Sequence, residues 1–171
     1  HVEWVETRVR SILSSHGIQD IPKDIPVKLV TPIEMARLNG SGQVNLLQPG
    51  LACTSKIVGL LMPRCNHTIY IFDYLPKVKF AGVLAHEMLH VWQHEKGISM
   101  PPMLTEGFCN LGSYLVYAAI NTELSLHLMK SLEEDTDPIY GNGFRKVLEV
   151  YNWQRDLPKT INVINNIANL K

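Results

Sequence analysis

The segment Lys77-Val78-Lys79-Phe80-Ala81-Gly82-Val83-Leu84-Ala85-His86-Glu87-Met88-Leu89-His90-Val91-Trp92-Gln93-His94-Glu95-Lys96-Gly97 decides how the rest of the chain is read. Phe80, Val83, Leu84, Glu87, Leu89 and Val91 fall within one long helical segment, and Gly97 is placed to cap its C-terminus. In its middle stands His-Glu-x-x-His, His86 to His90. Histidines four apart share a helical face, about 6 Å apart along the axis, so two imidazoles can share one tetrahedral ion. Glu87 is turned aside from that pair, where it can hold a water molecule and take its proton. The plainer reading is two surface histidines on an ordinary helix.

An open zinc site needs a third protein ligand. His94 lies eight residues beyond His86, roughly 12 Å along the axis, too far to fold back onto the same ion. It reads as a solvated side chain where a cation complements the helix dipole. Glu106, sixteen positions after His90, opens the next helix and is the better candidate. Gly107 beside it allows close backbone approach. Glu106 also reads as an acidic residue favoured in a first helical turn. Asn110, one turn on, either orients a ligand histidine through its ring N–H or is an exposed polar residue.

Around this segment the grain of the chain changes once. Val2, Val5, Val9, Ile12 and Leu13 space an amphipathic helix over 2–15 that His16-Gly17 ends. Residues 26–31 read as a strand, Pro32 to Leu38 as a helical turn or two, and Asn39 to Gly50 as loop. Thr54 to Leu61 and Thr68 to Phe72 read as strands. After Gly97, Pro101-Pro102 restart the chain into helices over about 105–121, 123–134, 144–153 and 160–170, with Asp137-Pro138 as punctuation. Strands first and helices afterwards mean α+β with segregated elements.

Composition agrees with one folded unit. The chain has 171 residues, 46% hydrophobic and 19% charged, with sixteen basic residues against sixteen acidic. Zero formal charge without a basic block argues against a nucleic-acid footprint or an anionic-membrane anchor. The longest apolar run, Tyr114 to Ile120, is far short of a bilayer span. The opening His1-Val2-Glu3-Trp4 has no signal-peptide pattern and no initiator Met, so an upstream part is expected to have been removed or left out. Three cysteines, Cys53, Cys65 and Cys109, form no Cys-x-x-Cys pair. They read as buried free thiols, with one bridge between Cys53 and Cys65 as the alternative.

His-Glu-x-x-His with a Glu ligand on the following helix resembles the gluzincin arrangement of zinc metallopeptidases. More specifically, the stretch from Cys53 to about Tyr151 resembles the C-terminal peptidase domain of the plant ubiquitin-activated LIM-domain peptidases that restrict organ growth. Bacterial proteins carry the same domain without LIM modules. The matching residues are Cys53, Cys65, Leu75-Pro76, Leu84 to His90, Trp92, Lys96-Gly97, Glu106-Gly107, Cys109 and Asp137 to Arg145. LIM-type Cys/His pairs and a ubiquitin-interacting helix are not seen, so ubiquitin activation is not implied. Thr105 stands where the plant proteins have a second acidic residue, and the part before about Pro49 has no counterpart.

The resemblance implies a zincin-like α+β fold, a small mixed sheet in the N-terminal half followed by an active-site helix and a helical C-terminal half. One domain over 1–171 is expected: a helix, strand and loop region over 1–50, a catalytic core over 51–155 and a C-terminal helix over 156–171. It also implies a zinc-dependent metallo-endopeptidase with one Zn²⁺ held by His86, His90 and Glu106. Glu87 is the general base, acting on a peptide or protein substrate. Asp-Pro and Gly-Asn-Gly read as turn chemistry holding Tyr140 and Arg145 at either side of a tight bend. Tyr140 then donates to an oxyanion with Arg145 binding nearby, or both merely pin the turn. His127 is a weaker rival for the oxyanion. An extended peptide would lie antiparallel to the Thr54 to Leu61 edge. The alternatives are a catalytically lapsed zinc-containing peptide-binding or regulatory module, and a metal-free interaction scaffold. Compartment is left open, with the cytoplasm favoured.

Overall fold

The computed structural model describes residues 2–57 and 64–170, and among these the chain is α+β with seven helices and three strands. Helix α1 (Val2–Ser15) buries Val5, Val9, Ile12 and Leu13, the stripe that its period requires, against the two central helices described below. Strand β1 (Val27–Val30) leads into the short helix α2 (Pro32–Leu38). Thr31 caps that helix with a full capping box, its side chain and that of Glu34 each satisfying the other's backbone N–H.

Strands β2 (Gly50–Ile57) and β3 (Arg64–Phe72) complete a mixed sheet of order β1-β3-β2. β1 runs parallel to β3, pairing Val27 with Ile69, and β2 runs antiparallel to it, pairing Ala52 with Ile69 and Thr54 with His67. Both strands begin earlier than their apolar residues suggest. Each lends the other backbone partners, so polar residues such as Asn66 and Thr68 are carried into the ladder. Positions 58–61 of the expected strand lie outside the described residues. Cys53 pairs with Thr68 and Cys65 with Lys56, three positions apart along the ladder or about 10 Å, beyond disulfide reach. All three cysteines are free.

Helix α3 (Lys77–Glu95) runs beneath the sheet and is buried over most of its circumference, with Leu84, Ala85, Met88 and Leu89 fully enclosed. Gly97, at φ +63°, ends it as expected. The Gly97 N–H donates to His94 O and the Ile98 N–H to Gln93 O, the paired bonds of a Schellman motif. Helix α4 (Pro102–Ile120) begins three residues before the sequence suggests, because Pro102 sits in the first turn, where the missing N–H costs nothing. Glu106 therefore lies in the second turn, and the first-turn explanation of its acidity falls away.

Helices α5 (Glu123–Glu134), α6 (Tyr140–Gln154) and α7 (Leu157–Asn169) complete the C-terminal half, with Asp156 capping α7. The largest departure is at α6. Gly141-Asn142-Gly143 is its first turn, not a bend between elements. These glycines serve packing: a Cβ on Gly143 would stand 2.0 Å from Met103 O, and one on Gly107 would stand 2.4 Å from the Gly143 carbonyl carbon. Gly107 thus admits α6, not α3, to the backbone of α4. Among the described residues no helix is long and apolar enough to cross a membrane.

Gly143→Ala should force α4 and α6 apart and cost about 1–3 kcal/mol, as overpacking does. Thermal unfolding should show a fall of roughly 2–4 °C for each kcal/mol lost. An unchanged midpoint would mean that the two backbones do not touch.

Candidate metal centre

α3 is amphipathic only along a narrow stripe, and that stripe carries His86 and His90. Their Nε2 atoms are 3.1 Å apart, with ring centroids at 4.8 Å. α4 crosses α3 closely because small residues face it. A Cβ on Gly112 would meet Leu89 Cδ1 at 2.5 Å, and the Ser113 hydroxyl donates to Gly82 O at 2.8 Å. The crossing brings Glu106 Oε2 to 3.2 Å from His86 Nε2 and 3.5 Å from His90 Nε2. A tetrahedral ion bound at about 2.0–2.1 Å sets its N and O donors about 3.3–3.4 Å apart. The three edges scatter around that value, so the donor set fits a divalent ion without backbone movement.

Asn110, one turn beyond Glu106, places its Oδ1 2.9 Å from His86 Nδ1. An Nδ1–H donating to that carbonyl leaves the Nε2 lone pair free towards Glu106, the tautomer that ligation requires. Burial would raise the Glu106 carboxyl, but hydrogen bonds from His86 and His90 outweigh it and hold the group at about 2. Burial also opposes protonation of both histidines, and their contact with Glu106 reverses this and raises them.

Cys109 is a second donor of metal-binding type. It is fully buried, and its Sγ and the ring nitrogens of His86 and His90 all lie within 4.8 Å of one another, a group that could hold a metal ion. Sequence reasoning treated it only as a buried thiol. The missed signal is its position, three residues after Glu106 and so on the same face of α4. Its chemistry differs from that of Glu106. Burial pushes the thiol well up, and the Gln93 amide donates to Sγ at 3.1 Å. The Gln93 Oε1 is buried without a partner, and turning the amide over would offer that oxygen to the S–H. Glu106 is the ionised oxygen donor touching both imidazoles, whereas Cys109 is a protonated sulfur behind them.

Glu87 points away from the pair, towards the sheet. It is 6% exposed, and a Cβ on Gly50 would stand 2.6 Å from its Oε1, so the absence of a side chain there gives the carboxyl its space. Burial raises the carboxyl, against the attraction of His86 and His90 and a hydrogen bond from the Ala52 backbone N–H. Tyr140, the first residue of α6, is 45% exposed, and its phenol is raised by burial and then by the charges of Glu106, Asp137 and Glu87.

Arg145 is not brought to the histidines by its contacts. Its Nη1 donates to Glu133 O and Asp135 O, at 3.1 and 2.6 Å, and its Nη2 to Asn142 Oδ1, tying α5 to α6. His127 is exposed on α5. His94 is exposed at the end of α3, where its Nε2 lies 3.6 Å from Cys65 Sγ. A cavity of about 120 Å³ lined by Val2, Val5, Leu29, Phe72, Leu75 and Phe80 lies elsewhere, between α1 and the sheet, and none of the residues above lines it.

No family model matches the chain, and no solved structure matches it. Among curated proteins the chain is similar to Protein DA1 of Arabidopsis thaliana, 30% identical over half of this chain. That similarity spans 22% of the plant protein, so the chain covers under a quarter of its length.

Proposed function

We propose that the chain is a zinc metallopeptidase of the gluzincin type, cleaving peptide bonds within a peptide or protein substrate. The observation that carries this reading is the triangle of His86 Nε2, His90 Nε2 and Glu106 Oε2, with edges of 3.1, 3.2 and 3.5 Å. A zinc ion held by those three atoms supplies Lewis acidity and brings the pKa of a coordinated water towards about 7.

The chain's own residues do the rest. Glu87, buried beside the pair, accepts a proton from the attacking water and delivers it to the leaving amine. Asn110 holds the His86 ring in its ligating tautomer. Tyr140, half-exposed at the start of α6, is the proposed donor to the oxygen that develops charge at the scissile carbonyl. Among the described residues β2 pairs with β3 alone and contacts α3, so an extended peptide could add to its other edge as an antiparallel strand. Arg145 serves the fold, through the α5–α6 link.

A second reading has one observation in its favour. Were Cys109 to join the two histidines and Glu106, the site would be closed by four protein donors, as in a zinc module that binds peptides without cutting them.

Two sets of variants separate these readings. Glu87→Gln should keep the metal and slow cleavage of labelled denatured casein by at least about 100-fold. A variant as fast as the parent would refute the mechanism. Glu106→Gln should abolish zinc binding at this centre, and Asn110→Ala should weaken it about 10–100-fold. Cys109→Ser should leave zinc content and turnover close to the parent's. Loss of zinc from Cys109→Ser, together with an inactive parent, would establish the closed site.

A further inference from the structure

On β3, Cys65, His67, Ile69 and Ile71 alternate onto one face, because side chains two apart along a strand share a side. Ile69 and Ile71 are fully buried there, on the side where α3 packs. Cys65 and His67 continue that face beyond the apolar core and meet the last turn of α3, where His94 and Glu95 stand side by side. His67 is buried, at 6% exposure. Its Nε2 lies 2.5 Å from Glu95 Oε1 and its Nδ1 2.8 Å from Thr54 Oγ1. Cys65 Sγ lies 3.6 Å from His94 Nε2, and the His67 and His94 rings pack edge to face at 5.7 Å.

We propose that Cys65, His67, His94 and Glu95 form a second, structural zinc site that clamps β3 to the C-terminal end of α3. Each donor is of a type zinc accepts, one thiolate sulfur, two imidazoles and a carboxylate, four in number and leaving no open position. A Zn–S bond of about 2.3 Å and a Zn–N bond of about 2.0 Å place those donors about 3.5 Å apart, close to the Cys65–His94 separation. His67 has a partner for its second nitrogen, as ligating histidines do: once Nε2 binds the ion in place of its contact with Glu95, Nδ1–H can donate to the Thr54 hydroxyl 2.8 Å away. The four donors stand as two touching pairs. Closing them on one ion needs rotation of the exposed His94 and Glu95 side chains and a slight parting of His67 from Glu95. The site shares no ligand with His86, His90 and Glu106, and it stands or falls independently of the proposed activity.

The test is metal content by mass spectrometry on the intact chain, dialysed against zinc and then against metal-free buffer. Two zinc ions per chain are expected. Cys65→Ser and His94→Gln should each retain one, as should Glu106→Gln, which removes the other. Cys65→Ser combined with Glu106→Gln should retain none. His94 is exposed, so its variant folds even if Cys65→Ser does not. Cobalt substitution gives a second readout: a thiolate-to-metal absorption band lost in Cys65→Ser and kept in Cys109→Ser. If Cys65→Ser and His94→Gln both hold as much zinc as the parent, the cluster is a hydrogen-bonded contact only and the proposal is overturned. If Glu106→Gln alone leaves the content unchanged, the first site fails instead.

Discussion

The crossing of α4 over α3 is the contact on which the rest depends. Gly112 and Ser113 let α4 lie against Gly82 and Leu89, and Gly107 and Gly143 let α6 lie against α4. A Cβ at Gly107 or Gly143 would meet backbone at 2.4 and 2.0 Å, so α4 and α6 would have to part, and α4 carries Glu106, whose Oε2 is within 3.5 Å of both imidazoles. The polar centre is therefore held by volume: apolar packing sets the helix axes, and the axes set the donors.

That centre would be costly if its members did not compensate one another. Burying a carboxylate or an imidazolium alone carries a desolvation penalty of several kcal/mol. Here burial pushes Glu106 up and the histidines down, and their mutual contacts reverse both. Glu87 lacks such a close partner and stays raised by its burial. Four ionisable groups on two helices thus divide into a mutually compensating set of His86, His90 and Glu106 and one carboxyl, Glu87, held apart beside the sheet.

Much of this was legible in the sequence because it is local. The stripe Val5, Val9, Ile12 and Leu13, the His86–His90 spacing and the Gly97 cap each rest on residues within a few turns of one another. Asn110 was legible as the residue one turn beyond a candidate ligand. What could not be read needed a partner from elsewhere in the chain. Gly141 and Gly143 carry the composition of a turn, and their use as spacers appears only with the Asp135 and Met103 carbonyls against them. His67 lies in a polar run, Arg64-Cys65-Asn66-His67-Thr68, whose inward side is chosen by pairing with β2 and not by hydrophobicity. Thr54 and Glu95, its two partners, are thirteen and twenty-eight residues away.

The edge strand shows why these long-range polar contacts matter for the proposed chemistry. β2 touches α3 at two polar points: the Ala52 N–H meets Glu87 near one end, and Thr54 reaches Glu95 through His67 nearer the other. Two fixed points on a rigid strand set its position along the helix as well as its height. A one-residue slip would turn the Thr54 side chain to the opposite face and carry the Ala52 N–H about 3.3 Å along the helix, breaking both contacts. Under the proposed activity, a peptide added to the edge of β2 that is unpaired among the described residues would inherit that register through its main-chain hydrogen bonds, and the strand would place its scissile bond relative to His86, His90 and Glu87.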